Sequence, residues 1–168
     1  MKKFLYLLFA LPLMAAGFVS CSDDDDTPDV SMNITLGGSA LNYDGEIYLV
    51  SGDSLIIESV NITNNEAGKK AAITMATYFW NGYRLGTNGI APYGFGIATE
   101  RFGTGADGKE FGTVPGEYVL QIVTPVLAED KSLATAVLSY IVNVVAEPSD
   151  MPEGTGTRIA QTQPSYRE

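Results

Sequence analysis

Few side chains in this sequence are of the kinds that carry out covalent chemistry. Among its 168 residues there is no histidine, and Cys21 is the one thiol. The lack of histidine removes the usual general base near neutral pH and the commonest imidazole metal ligand. Carboxylates can act in pairs, and Asp44 with Glu46, or Glu129 with Asp130, are neighbours in sequence. A catalytic pair must flank its substrate at a defined separation, which proximity along the chain does not supply; solvated surface charge accounts for both. No calcium loop of Asp-x-Asp-x-Asp-Gly type is present. Gly103-Thr104-Gly105-Ala106-Asp107-Gly108 has the glycine spacing of a dinucleotide loop, but the following KEFGTVPG cannot open the helix that would receive a pyrophosphate. Asp107-Gly108 reads instead as a turn. No catalytic, metal or cofactor residue is therefore assigned, and the chain reads as non-enzymatic.

Residues suited to recognition are easier to find. Tyr78-Phe79-Trp80-Asn81-Gly82-Tyr83-Arg84 holds four aromatics in seven positions. Strand alternation puts Tyr78 and Trp80 on one face, and Phe79 with Tyr83 on the other. The first reading is a core strand covered on both sides. If a face is open, Tyr78, Trp80 and Tyr83 are the candidate ligand platform, because exposed aromatics give large rigid contact area to sugars or protein partners. Between Gly82 and Gly112 there are nine glycines, interleaved with Tyr93, Phe95, Phe102 and Phe111. This stretch reads as long hairpins or as an aromatic-bearing loop region. Asp53-Ser54-Leu55 resembles the O-glycosylation sequon of exported Bacteroidetes proteins, which makes Ser54 a candidate modification site. Asn33-Ile34-Thr35 and Asn61-Ile62-Thr63 match the N-glycosylation pattern, but threonine in strands is enough to explain them.

The net charge is -10, from 10 Lys and Arg against 20 Asp and Glu, so the basic footprint of a nucleic-acid-binding protein is missing. Lys2 and Lys3 precede Phe4 to Val19, an uncharged run of 16 residues. The run is shorter than the roughly 20 apolar residues a bilayer span needs, so residues 1–20 read as a signal peptide. Cys21 follows Phe18-Val19-Ser20 directly and has no second cysteine to pair with. This arrangement resembles the lipobox of bacterial lipoproteins, in which the cysteine is acylated and begins the mature chain, although Phe18 stands where leucine is more usual. Ser22, Asp23, Asp24, Asp25 and Asp26 then resemble the acidic export signal of Bacteroidetes surface lipoproteins. The two likenesses imply a palmitate-type anchor on Cys21 and a domain outside the outer membrane. Two or more acyl chains give stable anchoring where one is marginal. Loss of residues 1–20 leaves eight basic against 20 acidic side chains, so the domain stands off from anionic lipid.

These features need elements to carry them. Residues 21–29 read as the lipidated cysteine and its tether, 30–146 as the packed domain, and 147–168, with three prolines and two glycines, as a polar and flexible tail. The domain shows short runs rich in Val, Ile, Thr and Tyr between turn residues, which predict strands over 30–36, 46–50, 54–63, 71–85 with a bend, 93–99, 117–125 and 135–145. Seven strands in this length predict an all-β sandwich. From Glu117, alternation directs Tyr118, Leu120 and Ile122 to the core. The last strand is apolar on both faces and reads as central. Val114-Pro115-Gly116-Glu117-Tyr118 resembles the tyrosine corner of immunoglobulin-like domains, with Leu120 where antibody domains place a cysteine and Trp80 as the buried sandwich tryptophan. The likeness implies an immunoglobulin-like β-sandwich and no activity. The expected function is a lipid-anchored surface module that contacts a protein or glycan partner. One alternative is a structural envelope or pilus-associated subunit whose tail, around Thr157-Arg158-Ile159-Ala160-Gln161, adds to a neighbour's sheet. The other is a carbohydrate-binding accessory protein using the aromatics.

Overall fold

A computed structural model describes residues 27–98, 115–129 and 133–167. Cys21, the run Ser22 to Asp26, the Gly103 to Gly108 motif and Asp130 lie outside the described residues. In chain order the strands are β1 (Val30–Gly38), β2 (Leu41–Tyr43), β3 (Glu46–Val50), β4 (Ser54–Asn64), β5 (Ala71–Ile73), β6 (Ala76–Trp80), β7 (Tyr83–Asn88), β8 (Tyr93–Ala98), β9 (Gly116–Ala128), β10 (Ala134–Val145), β11 (Ile159–Thr162) and β12 (Ser165–Arg167).

They form two sheets. The first has the order β11-β1-β4-β8 and is antiparallel throughout. The second has the order β2-β3-β10-β9-β6-β7, with β12 also on β10 and β5 also on β9. Its one parallel pairing is β3 with β10. Alternation buries one face of each sheet against the other: Met32 and Ile34 from β1, Leu55 and Ile57 from β4, and Leu120, Ile122, Leu138 and Tyr140 from the β9/β10 pair are all at most 2% exposed. This is the immunoglobulin-like β-sandwich implied by the sequence. The last long strand, β10, is central, between β9 on one side and β3 and β12 on the other.

Two polar groups in this core are satisfied internally. Thr124, fully buried, donates its hydroxyl to the Met75 carbonyl at 2.6 Å, and the Tyr78 hydroxyl donates to the Tyr93 carbonyl. Burial raises the pKa of Tyr78, and that of Tyr140 through burial first and then the nearby Tyr78.

Two expectations are corrected. The single bent strand over 71–85 is three strands, because Asn81 (φ 46°) and Gly82 (φ 82°) both take left-handed backbone and close a two-residue hairpin between Trp80 and Tyr83. Asp44 (φ 50°) and Gly45 (φ 96°) do the same between Tyr43 and Glu46, adding β2. The second correction concerns the tail expected to be flexible over 147–168. Thr157 bridges to Asn42 in the second sheet, β11 pairs with β1 in the first, and β12 returns to β10 in the second. Ala160 is fully buried within this strap. The Tyr166 hydroxyl donates to the Pro28 carbonyl at 2.6 Å, joining the end of the chain to the start of the domain. The segment proposed to extend a neighbour's sheet thus pairs within its own chain.

Ending the chain after Gly156 removes both strap strands and uncovers the β1 edge. We expect a loss of roughly 3 kcal/mol or more, since several ladder hydrogen bonds and a buried contact disappear together. Urea unfolding of the full and shortened chains measures it, and equal midpoints would show that the strap contributes nothing.

Candidate functional site

The two outer faces of the sandwich differ in chemistry. On the first sheet, β1 presents Ser31, Asn33 and Thr35, and β4 presents Ser59, Asn61 and Thr63. These side chains bond to one another: Asn61 donates to Asn33 at 3.0 Å and to Ser59 at 3.0 Å, and Ser59 donates to Thr35 at 2.9 Å. Both N-glycosylation-like motifs are thereby strand residues in a polar ladder. The same face also exposes Ile56 at 37% and Ile159 at 55% beside the ladder.

The outer face of the second sheet mixes polar pairs, such as Gln121 donating to Ser139 at 3.3 Å, with an apolar strip. Because Leu120 and Tyr140 point inward, Val119 and Ile141 point outward; they sit directly opposite each other in the β9/β10 register and are 39% and 37% exposed. On the β6 side, Phe79 is opposite Gln121. On the β3 side, Tyr48 is opposite Asn143. Strands lie about 4.8 Å apart, so the patch from Tyr48 to Phe79 runs about 14 Å across four strands.

One end of this patch has defined polar geometry. Tyr43 and Tyr48 meet edge to face, with ring centroids 5.7 Å apart and an interplanar angle of 88°. The Glu46 carboxylate accepts from the Tyr48 hydroxyl at 3.1 Å and from the Asn143 amide at 2.7 Å. Gly156 in the strap backs Tyr43, since a Cβ there would come within 2.7 Å of the Tyr43 ring. Loss of solvent around the Tyr48 hydroxyl raises its pKa, followed by its bond to Glu46 and by the charges of Glu46, Asp44 and Glu117.

The residues singled out from the sequence fall elsewhere. Tyr78 and Trp80 are fully buried, so they are no ligand platform; Tyr78 stacks on Phe95 at 4.5 Å, and Trp80 stacks on Tyr118 at 5.0 Å. The cause is the alternation itself, which turns Tyr78 and Trp80 inward with Leu120 and Ile122 across the register. Tyr83 stands directly opposite Trp80 across the two-residue turn and is 40% exposed. Tyr118, proposed for a tyrosine corner, is half-buried at the start of β9 with its ring on Trp80. Ser54 is exposed at the start of β4, and Asp53 before it accepts a hydrogen bond from Ser39. Asp44 and Glu46 flank a hairpin turn and serve the tyrosine cluster rather than facing each other across a cleft. Among the described residues no group of three or more Cys, Asp or Glu could hold a metal ion. A shallow recess of about 180 Å³ lies at the opposite end of the sheet, lined by Lys70, Ala71, Ala72, Leu127 and Glu129. Tyr43, Tyr48, Val119 and Ile141 carried no separate sequence signal, since aromatic and β-branched residues in strands look the same inside and out. The Asp44-Gly45 turn is what could have placed Tyr43 beside Glu46.

No known protein family matches the chain, and no curated protein matches it. Among solved structures it is similar to the fibronectin(III)-like modules of Clostridium thermocellum CbhA, at 14% identity and a TM-score of 0.37, over 77% of this chain and 53% of that one. The chain thus spans about half the length of that structure.

The distinction between core and surface aromatics is directly measurable. Trp80→Ala should cost about 3–5 kcal/mol by opening a cavity. Val119→Thr and Ile141→Thr, which keep β-branching, should each stay within about 1 kcal/mol of the parent. Thermal and urea unfolding decide it; a large loss from either threonine variant would make the outer face structural.

Proposed function

We propose that this chain is a lipid-anchored, non-catalytic interaction module, held outside the cell by Cys21, whose binding surface is the outer face of the second sheet. The observation that supports it most is the strip on the outer face of the second sheet, where Val119 and Ile141, 39% and 37% exposed, stand directly opposite each other between half-buried Phe79 and Tyr48. Exposed apolar patches on a small sandwich mark contact surfaces more often than they mark anything else. An immunoglobulin-like frame suits this use, since it supplies rigid strands on which such a patch is pre-organised.

The topology fits a tethered role. The tether enters at Pro28, at the end of the sandwich where Asp29 accepts from the Asn65 amide and Tyr166 reaches Pro28. The Asn81-Gly82 turn and the Ser51 to Asp53 turn lie at the other end, where Ser51 bonds to the last residue of β10 and Asn81 to Val119. Tyr83 and Ser54 adjoin that far end. The bonding face runs along the side between the two ends, clear of the anchor.

Two measurements test the parts separately. Palmitate labelling of intact cells should mark the parent and not Cys21→Ala, and added protease should remove the labelled protein. Labelled but protected protein would place the domain in the periplasm. A photo-crosslinking side chain at position 141 of the anchored chain should capture a partner, whereas one at position 61 on the polar ladder should capture none; equal capture from both would defeat the assignment of the face.

A further inference from the structure

The partner's chemistry can be read from the charges around this face, an inference that rests on the interaction-module reading. Glu46, Asp44 and Glu117 stand at the Tyr43–Tyr48 end, where all three act on the Tyr48 hydroxyl. Glu117 lies opposite Asn143, which itself holds Glu46. Of the described basic side chains, Arg84 is on β7 at the far edge, bonded to Thr87 at 2.9 Å, Arg167 is on β12 at the opposite end of β10, and Arg158, beside β2, is turned onto the Gly38 and Ala40 carbonyls. The corner therefore combines two aromatic rings, a half-buried carboxylate held in place from two directions, and flanking negative charge, with an apolar strip adjoining it.

We propose that the outer face of the second sheet docks a protein partner that sets an arginine or lysine against Glu46, beside the Tyr43–Tyr48 pair, and lays apolar side chains over Ile141, Val119 and Phe79. A cation gains there from the carboxylate. Glu46 is restrained by Tyr48 and Asn143 before the partner arrives, so little side-chain freedom is lost on binding. Charge complementarity also decides against a second copy of this chain as the occupant. A two-fold contact through this face would bring Glu46, Asp44 and Glu117 of each copy toward one another in a lipidated chain with eight basic against 20 acidic side chains. Gly156 contributes by position: its missing side chain leaves room for the Tyr43 ring where it meets Tyr48 at 88°.

The probe is a synthetic peptide alternating valine and lysine, labelled for fluorescence anisotropy, with the full-length lipidated chain in detergent micelles. Two peptides serve as comparisons, one alternating valine with glutamate and one alternating serine with lysine. The valine-lysine peptide should bind at least about tenfold more tightly than either, and salt near 1 M should weaken it. Glu46→Gln keeps the hydrogen-bond acceptor and should weaken binding about tenfold, Ile141→Thr should weaken it similarly, and Gln161→Ala on the other sheet should change nothing. Equal binding of the valine-glutamate peptide, or full affinity in Glu46→Gln, overturns the cationic partner. So does self-association of the chain through position 141, or competition by a neutral oligosaccharide without any peptide binding. If crosslinks form from position 141 while no lysine peptide binds, the partner chemistry is wrong and the module reading stands. If neither occurs, both fall.

Discussion

The structure depends on one register. β9 and β10 pair over eleven consecutive positions, from Gly116 opposite Val144 to Val126 opposite Ala134, and every other strand of the second sheet is added to this hairpin. Both strands carry apolar residues on their outer as well as their inner faces, so over much of their length hydrophobicity alone does not say which side is inside. Slipping either strand by one residue would exchange Leu120, Ile122 and Tyr140 with Val119, Val123 and Ile141. Size and neighbours select the observed choice. Tyr140 and Leu120 fill space beside Trp80, and the Thr124 hydroxyl finds the Met75 carbonyl only when turned inward. The residues left over form the exposed strip, so the core and the contact face have one origin.

This explains what the sequence made legible. The strands over 46–50, 54–63 and 135–145 could be read nearly to their ends because turn residues bound them. Inward-facing Tyr118, Leu120 and Ile122 were legible from alternation with Glu117 and Gln121, and Trp80 from its place in an immunoglobulin-like pattern. Beyond Ile122 the alternation stops discriminating, since Val123 faces out while Thr124 faces in. The platform assigned to Tyr78 and Trp80 failed for the same reason the core succeeded: those rings are on the side that must be buried. Two Asx-Gly pairs, Asp44-Gly45 and Asn81-Gly82, were stronger hairpin signals than the apolar runs around them, and they set Tyr43 opposite Glu46 and Tyr83 opposite Trp80.

The tail was illegible for a different reason. Thr157 to Arg167 is polar, carries Pro164 and has few large apolar residues, which is the composition of a linker. Its order comes from long-range backbone pairing, which composition does not encode. Ala160 is small enough to enter the core between the sheets, where the Tyr140 hydroxyl approaches its carbonyl at 3.4 Å. Arg158 donates to the carbonyls of Gly38 and Ala40, closing the turn after β1. The polar character reflects the strap's solvent-facing side.

The placement of β1 between β4 and β11 gives the domain a mechanical property. Under the proposed anchoring, tension entering at Thr27 would pull β1 along its own axis, and the hydrogen bonds of its two antiparallel ladders stand perpendicular to that direction. Drag on the outer face of the opposite sheet would then load both ladders in shear, all bonds together, rather than peel them one at a time. Tyr166, bonded to Pro28, sits where the tension enters and shares the first of it with β10. In an anchored chain the strap would work as a strain relief where tension enters.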